Sequence, residues 1–412
     1  MDETSRYAVG LDVGTENVRA VVLSVLKNGE IAVVGYNEGK SAGMRKGMVA
    51  NLAGPAGAID KMLGEVEHMC GRDVNSAYAT INGSQILSTR TEGMIAVGTV
   101  DHEIDGNDLE RVEDVAVMGR IPANREVLDV VPLEYAIDGQ GGIKDPIGMS
   151  GTRLEMRACV ISALAPNVEN LKKAAETADV AVLKVVPSVV AAARAVLTEK
   201  QKENGVAVID LGGATTSVAV YEEGDLQYVG VVPAGSNNIT NDLAIVLAIE
   251  PELAEDIKTR FITGNFDSEK SNVIKINHNK IERVFDRREV EEVAKARLEE
   301  IFGEVRKKLK AAKYDQRLPE GVVLVGGGAK MRDIEVFAKN VLEASAKVGV
   351  PNGLGGVSSD IEKPEYAAAV GLALLAADDG DQIKDVKKSP KKKAKSSGDG
   401  GLSFIKKIFS KF

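Results

Sequence analysis

Gly10-Leu11-Asp12-Val13-Gly14-Thr15 and Val208-Ile209-Asp210-Leu211-Gly212-Gly213 are the two stretches that decide the fold. Each closes an apolar run, presents an aspartate, then passes through small residues into a second apolar run, at residues 18–26 and 217–222. A third glycine turn, Gly326-Gly327-Gly328, follows the apolar residues 322–325. Glycine lets backbone N–H groups approach phosphate oxygens unobstructed, and Thr15 and Thr215 add hydroxyl donors. Carboxylates at Asp12 and Asp210 suit a hydrated Mg²⁺, which needs few protein ligands. The order hairpin, hairpin, glycine turn therefore predicts two similar halves closing over one nucleotide. The chain holds no Gly-x-x-x-x-Gly-Lys-Ser/Thr run, and the first turn lacks Gly-x-Gly-x-x-Gly, so P-loop and dinucleotide sites are disfavoured.

Outward from these turns the pattern alternates strand and helix. Residues 7–12, 18–26 and 31–36 read as successive strands, 55–70 as a helix with Ala58, Met62, Val66 and Met69 on one face, and 74–81 as a strand. Between residues 83 and 162 the pattern changes to an inserted small α/β unit with a helix over 105–118 and strands near 94–97, 126–135 and 153–161. Helices follow at 166–178 and 187–200. Residues 206–210, 217–222 and 226–232 then repeat the opening strands. A second excursion, 235–303, carries helices and a polar hairpin-like run at 272–285. Residues 322–325, 331–342 and 364–376 complete the second half. This is an α/β chain of mixed sheets with helical cover.

With 412 residues, two lobes with separate cores are expected. The net charge of -9 hides an asymmetry: residues 381–412 hold ten lysines against three aspartates, so the rest is strongly acidic. An acidic body argues against a nucleic-acid partner. Cys70 and Cys159 read as reduced core thiols, the residues ahead of Tyr7 carry no signal-peptide pattern, and no apolar run reaches membrane-spanning length, so the body is expected to be cytosolic.

The succession of a first phosphate hairpin, a second phosphate hairpin and an adenosine turn resembles the actin, DnaK-type chaperone and sugar-kinase superfamily. Within it the chain is similar to the FtsA family of bacterial cell-division proteins from about residue 7 to 412. The likeness also rests on Gly39-x-Ser41-x-Gly43-x-x-Lys46-Gly47-x-Val49, Ala254-Glu255-x-Ile257-Lys258 and Glu365-Tyr366-Ala367-Ala368-Ala369-Val370-Gly371. It implies an actin-like two-lobed fold with duplicated mixed-sheet domains and an inserted 1C-type subdomain. Residues 1–83 and 163–200 would form the first lobe, 84–162 subdomain 1C, 201–234 and 304–377 the second lobe, and 235–303 subdomain 2B. It further implies ATP and Mg²⁺ as ligands. Gly14, Thr15, Asn17, Gly212, Gly213 and Thr215 would meet phosphates, and Asp12 and Asp210 the metal through water. Gly326, Gly327 and Gly328 would pass beside adenosine, and Gly235, Glu255 and Lys258 would border ribose and base. A solvated helix face is the alternative for Glu255 and Lys258. Lys330 and Met331 either line the base or are ordinary residues of the following helix. The sequence offers no unambiguous hydrolytic base, so at most slow ATP hydrolysis is expected.

The end of the chain is different. Residues 378–401 are lysine-rich without apolar periodicity and read as a disordered linker. At about 100° per residue, Leu402, Phe404, Ile405, Ile408, Phe409 and Phe412 fall on one side of a helical wheel. Lys406, Lys407 and Lys411 fall on the other, with Ser403 and Ser410. This predicts an interfacial helix lying on an anionic membrane, aided by residues 391–395. The resemblance implies filaments through subdomain 1C, capture of the FtsZ C-terminal peptide by subdomain 2B, recruitment of later division proteins, and residence on the cytoplasmic face of the cell membrane at the division site. Lys280, Arg283, Arg287 and Arg288 are either attractors for an acidic peptide or a solvated charge run. Two rivals share the nucleotide turns: a PilM-type pilus-assembly adaptor, which has a different peptide partner, and a small-molecule kinase, which leaves the tail unexplained.

Overall fold

The computed structural model describes residues 6–26, 28–97, 103–266, 271–357 and 359–380. The residues from 381 onward, including the linker and the expected amphipathic helix, lie outside the described residues.

The two halves repeat one topology. In the first, Arg6–Val13, Asn17–Val25 and Ile31–Lys40 form an antiparallel meander. Ser76–Ile81 and Ala181–Pro187 then add in parallel beside the first strand. In the second, Val206–Leu211, Thr216–Glu222 and Asp225–Val232 make the same meander. Val322–Val325 and Ala346–Val348 extend it in parallel. Strands buried on both faces read as near-continuous apolar runs, which is why Val18 to Leu23 and residues 206–211 look alike in sequence.

Helices cover these sheets. Ala53–Cys70 buries Ile59, Met62, Leu63, Val66 and Cys70 against the first sheet. Met69, expected on that face, is 44% exposed instead, because the buried stripe is one residue further round the helix. The expected 187–200 helix is two: Ser188–Val196, then Glu199–Asn204, begun by Thr198, which accepts the Gln201 amide while Gln201 returns to the Thr198 N–H. The last helix, Ala367–Asp378, is almost wholly buried and lies directly on the first strand. A Cβ on Gly10 would meet the Ala369 carbonyl at 2.1 Å, and one on Gly371 would meet the Ala191 carbonyl at 1.7 Å. Only glycine permits these backbone approaches. Asp378 still belongs to this helix, so order continues slightly beyond the expected start of the linker.

The insertion forms its own four-stranded antiparallel sheet, in the order Leu87–Ala96, Arg153–Leu164, Arg125–Ile137, Gln140–Ile143. Its helix Gly106–Val117 starts where Asp105 accepts the Asn107 and Asp108 amides and Asp108 accepts the Asp105 N–H. Both cysteines are free and buried. In the second lobe, Arg287–Ala311 packs Leu298, Ile301, Phe302 and Val305 into the core. The expected polar hairpin is Val273–His278 with Ile281–Asp286.

Candidate functional site

The matched turns meet across a cleft of about 460 Å³ between the lobes. Each turn is closed in the same way: the Gly14 amide donates to the Asn17 carbonyl at 3.0 Å, and the Gly212 amide donates to the Thr215 carbonyl at 3.0 Å. Thr15 Oγ1 accepts the Gly47 amide at 3.1 Å, which leaves its own proton free to donate elsewhere.

Asp12 and Asp210 sit at the ends of the two equivalent strands, Asp12 buried and Asp210 half-buried at the cleft wall. Thr80 Oγ1 donates to Asp12 Oδ1 at 2.7 Å, and Arg19 Nη1 lies 3.9 Å from Asp12 Oδ2. Burial pushes the Asp12 carboxyl up, against the lowering effect of Arg19 and Thr80. Asp210 is pushed up to about 6, first by burial and then by the facing Asp12 charge, with the Ser188 hydrogen bond opposing. Ser188 Oγ lies 2.7 Å from Asp210 Oδ2 and 2.5 Å from Asn82 Oδ1, and its single proton serves one at a time. Two desolvated carboxylates near each other are costly in isolation and favour a cation. Among the described residues no group of three or more His, Cys, Asp or Glu converges as a cage. A cation here would therefore take most of its ligands from water and phosphate, as Mg²⁺ does.

The glycine triplet follows Val322–Val325 as a tight 3-10 turn, Gly327–Lys330, rather than running directly into an α-helix. The helix begins later, at Ile334–Leu342. Gly326 has φ +86°, and a Cβ there would lie 2.3 Å from Asp210 Oδ1. The turn thus passes against the aspartate because it lacks side chains.

On the far wall, Lys258 is buried rather than solvated. Its Nζ donates to Glu255 Oε2 at 2.6 Å and Thr240 Oγ1 at 2.9 Å. Burial raises the Glu255 carboxyl, but hydrogen bonds from Lys258 and Thr240 outweigh it and hold the group below its ordinary value. Lys330 and Met331 both line the cleft, and Lys330 pairs with the buried Glu365 at 3.0 Å.

Asp12, Gly14, Thr15, Asn17, Asp210, Gly212, Gly213, Thr215, Glu255, Lys258, Gly326, Gly327 and Gly328 all line this one cleft. Gly235 does not. It lies behind the second turn, where a Cβ would strike the Gly212 and Gly213 carbonyls at 2.5 and 2.6 Å. Of the basic residues singled out near the hairpin, Arg287 is engaged internally, donating to the Ser271 carbonyl at 2.6 Å.

Sequence reasoning missed Arg19, Glu38, Asn82, Ser188 and Glu365, which also line the cleft. Arg19 was findable, because a tight hairpin starting at Asp12 places Arg19 directly opposite it in register. Ser188 and Asn82 come from strand ends brought close only by the parallel half of the sheet, which no local pattern reveals.

Comparisons with known proteins agree with this geometry. Residues 207–371 match the family described as cell division protein FtsA, and residues 83–162 match the SHS2 domain inserted in FtsA. The chain is 32% identical to cell division protein FtsA of Pseudomonas aeruginosa, over 90% of this chain and 89% of the relative. It is 32% identical to that of Borreliella burgdorferi over 97% and 98%, and 30% identical to that of Escherichia coli K12 over 89% of each. Among solved structures, a PilM–PilN type IV pilus biogenesis complex is similar with a TM-score of 0.66 at 18% identity, covering 89% of this chain and 98% of that one. MreB5 of Spiroplasma citri bound to ADP is similar with a TM-score of 0.52 at 14% identity, covering 92% and 98%. These structural likenesses establish the actin-like fold, and the sequence relatives establish the family: the chain belongs to the FtsA family of cell-division proteins.

Proposed function

We propose that the cleft binds ATP with Mg²⁺ and that the chain is a membrane-associated adaptor of the division machinery, anchoring FtsZ. The observation that carries the nucleotide reading is the convergence of two identically closed glycine turns on a pair of aspartates, one buried and one half-buried, at the wall of one cleft. The turns would clasp the phosphates, with Thr15 and Thr215 donating hydroxyls and Arg19 offsetting charge. Asp12 and Asp210 would hold Mg²⁺ through water, and the ion would neutralise phosphate charge. Gly326, Gly327, Gly328 and Met331 would flank the adenosine, and Glu255 and Lys258 the ribose and base. The fit is chemical as well as spatial: a cation relieves the mutual repulsion that helps raise Asp210. The nucleotide acts as a ligand that biases the angle between the lobes, with at most slow hydrolysis.

Residues 84–162 are assigned to self-association into filaments, 235–303 to the FtsZ C-terminal peptide, and 402–412 to an anionic membrane, placing the protein at the cytoplasmic face of the cell membrane at the division site. Recruitment of later division proteins completes the adaptor role. Family membership supports this reading, as does the separation of apolar from basic residues along 402–412. The test is recruitment of fluorescent FtsZ tail peptide to anionic vesicles with ATP, comparing the whole chain with a 1–400 truncation. Recruitment by the first and loss with the second is expected. Vesicle binding without peptide capture would move the function toward another partner.

A further inference from the structure

Glu16 occupies an unexpected position. It lies in the first turn, between Thr15 and Asn17, and its side chain crosses the cleft to the second lobe. Asn237 Nδ2 donates to Glu16 Oε1 at 2.5 Å. Its Cγ lies 2.8 Å from where a Cβ on Gly213 would stand, so the stem rests on the second turn. The turn is pinned from behind, because the Glu16 carbonyl accepts the Ser41 amide at 2.9 Å. Asn237 is held equally firmly, its own amide donating to the Gly213 carbonyl at 2.8 Å.

The chemistry of this bridge is unlike that of the rest of the cleft. Arg19 is engaged with Glu38 and Asp12, and Lys40 from the same lobe acts on Glu255. Among the described residues no cation pairs with Glu16, whose hydrogen-bond partner is a neutral amide. A carboxylate is therefore stretched between the two turns with its charge uncompensated by contact. Asp12, Glu38 and Asp210 line the same cleft, whose cations are Arg19, Lys40, Lys258 and Lys330. Arg19 and Lys258 are paired with Glu38 and Glu255, and Lys330 with Glu365. Glu16 is exposed, so water screens it in part, but a further negative charge placed beside it between the turns is still disfavoured.

We propose that Glu16 makes the cleft discriminate nucleotides by their number of phosphates: a terminal phosphate between the turns and the Glu16 carboxylate that Asn237 holds across them repel one another. A diphosphate leaves the bridge closed. A triphosphate must break it, so the same residue converts phosphate count into a change at the contact between the lobes. This inference rests on the nucleotide reading of the cleft and deepens it.

The test is the affinity of the full chain for Mg·ATP and Mg·ADP, measured by titration calorimetry for the wild type, Glu16→Gln and Asn237→Ala. Glu16→Gln keeps size and hydrogen bonding but removes the charge at an exposed position, so folding is preserved. It should shift the affinity ratio toward ATP by about tenfold or more, with ADP binding within about threefold of wild type. Asn237→Ala frees the carboxylate to turn to solvent and should shift the ratio in the same direction by a few-fold. A ratio that moves less than about twofold in Glu16→Gln, with both nucleotides still bound, overturns the inference alone. Failure of the wild type to bind either nucleotide would remove the nucleotide reading and this inference together.

Discussion

Replacing Asp210 by Asn should stabilise the protein without nucleotide while destroying its affinity for Mg·ATP. The rise of this carboxyl from 3.8 to about 6 corresponds to about 3 kcal/mol of preference for the neutral form in the folded state. The sign follows from the raised value. The folded state binds the proton more tightly, so this contribution is fully present below pH 3.8 and is lost as pH rises through about 6. At pH 8 the folded wild type carries a buried charge that the unfolded chain carries in water. Asn removes that charge and keeps an oxygen to accept from Ser188. Burying the new amide nitrogen costs about 1 kcal/mol, so a net gain of about 2 kcal/mol is expected at pH 8. For a lobe of this size that is a rise of about 4–8 °C in Tm. At pH 4.5 the wild type has already taken up most of its proton, and only about 1 kcal/mol remains to be gained, which the amide cancels. Scanning calorimetry resolves the separate transitions that a two-lobed chain can show. Saturating Mg·ATP should reverse the order at pH 8, because only the wild type gains binding energy. An unchanged or lower Tm for Asp210→Asn at pH 8, or an equal gain at both pH values, would refute the reasoning.

Further outcomes are expected elsewhere. Gly371→Val drives a side chain into the Ala191 carbonyl and should cost about 3 kcal/mol or more, read as a lower Tm of the first lobe. Phe302→Ala empties a fully buried site in the second lobe and should cost about 3–5 kcal/mol in urea unfolding. Arg19→Ala leaves Asp12 and Glu38 without their shared cation; nucleotide affinity should fall at least about tenfold, and Arg19→Lys should restore part of it. Removing residues 402–412 should abolish sedimentation with anionic vesicles and leave the Tm unchanged, and Phe409→Glu should act almost as strongly.

The duplicated fold was legible because both halves rely on the same local device. Asp12 and Asp210 each end a strand buried on both faces, and such strands announce themselves as apolar runs closed by glycine. The inserted unit was visible from its change of periodicity. What escaped was non-local. Ser188, within reach of both Asn82 and Asp210, is brought there only by parallel strands far apart in sequence, and nothing in the sequence signals that Gly235 lies close behind the second turn. Met69 was misplaced by a single residue of helical phase. Lys258 was ambiguous in sequence, since nothing local says that Thr240 and Glu255 will bury its ammonium group.

The most direct test of the nucleotide cleft is a calorimetric titration of Mg·ATP into the full chain, beside the variant Gly326→Val. That substitution places a side chain where 2.3 Å separates the would-be Cβ from Asp210 Oδ1. One ATP should bind per wild-type chain, and none should bind to a variant whose circular dichroism remains that of a folded protein. Equal binding by both, or none by the wild type, would contradict the assignment of the cleft between Asp12 and Asp210 to a nucleotide.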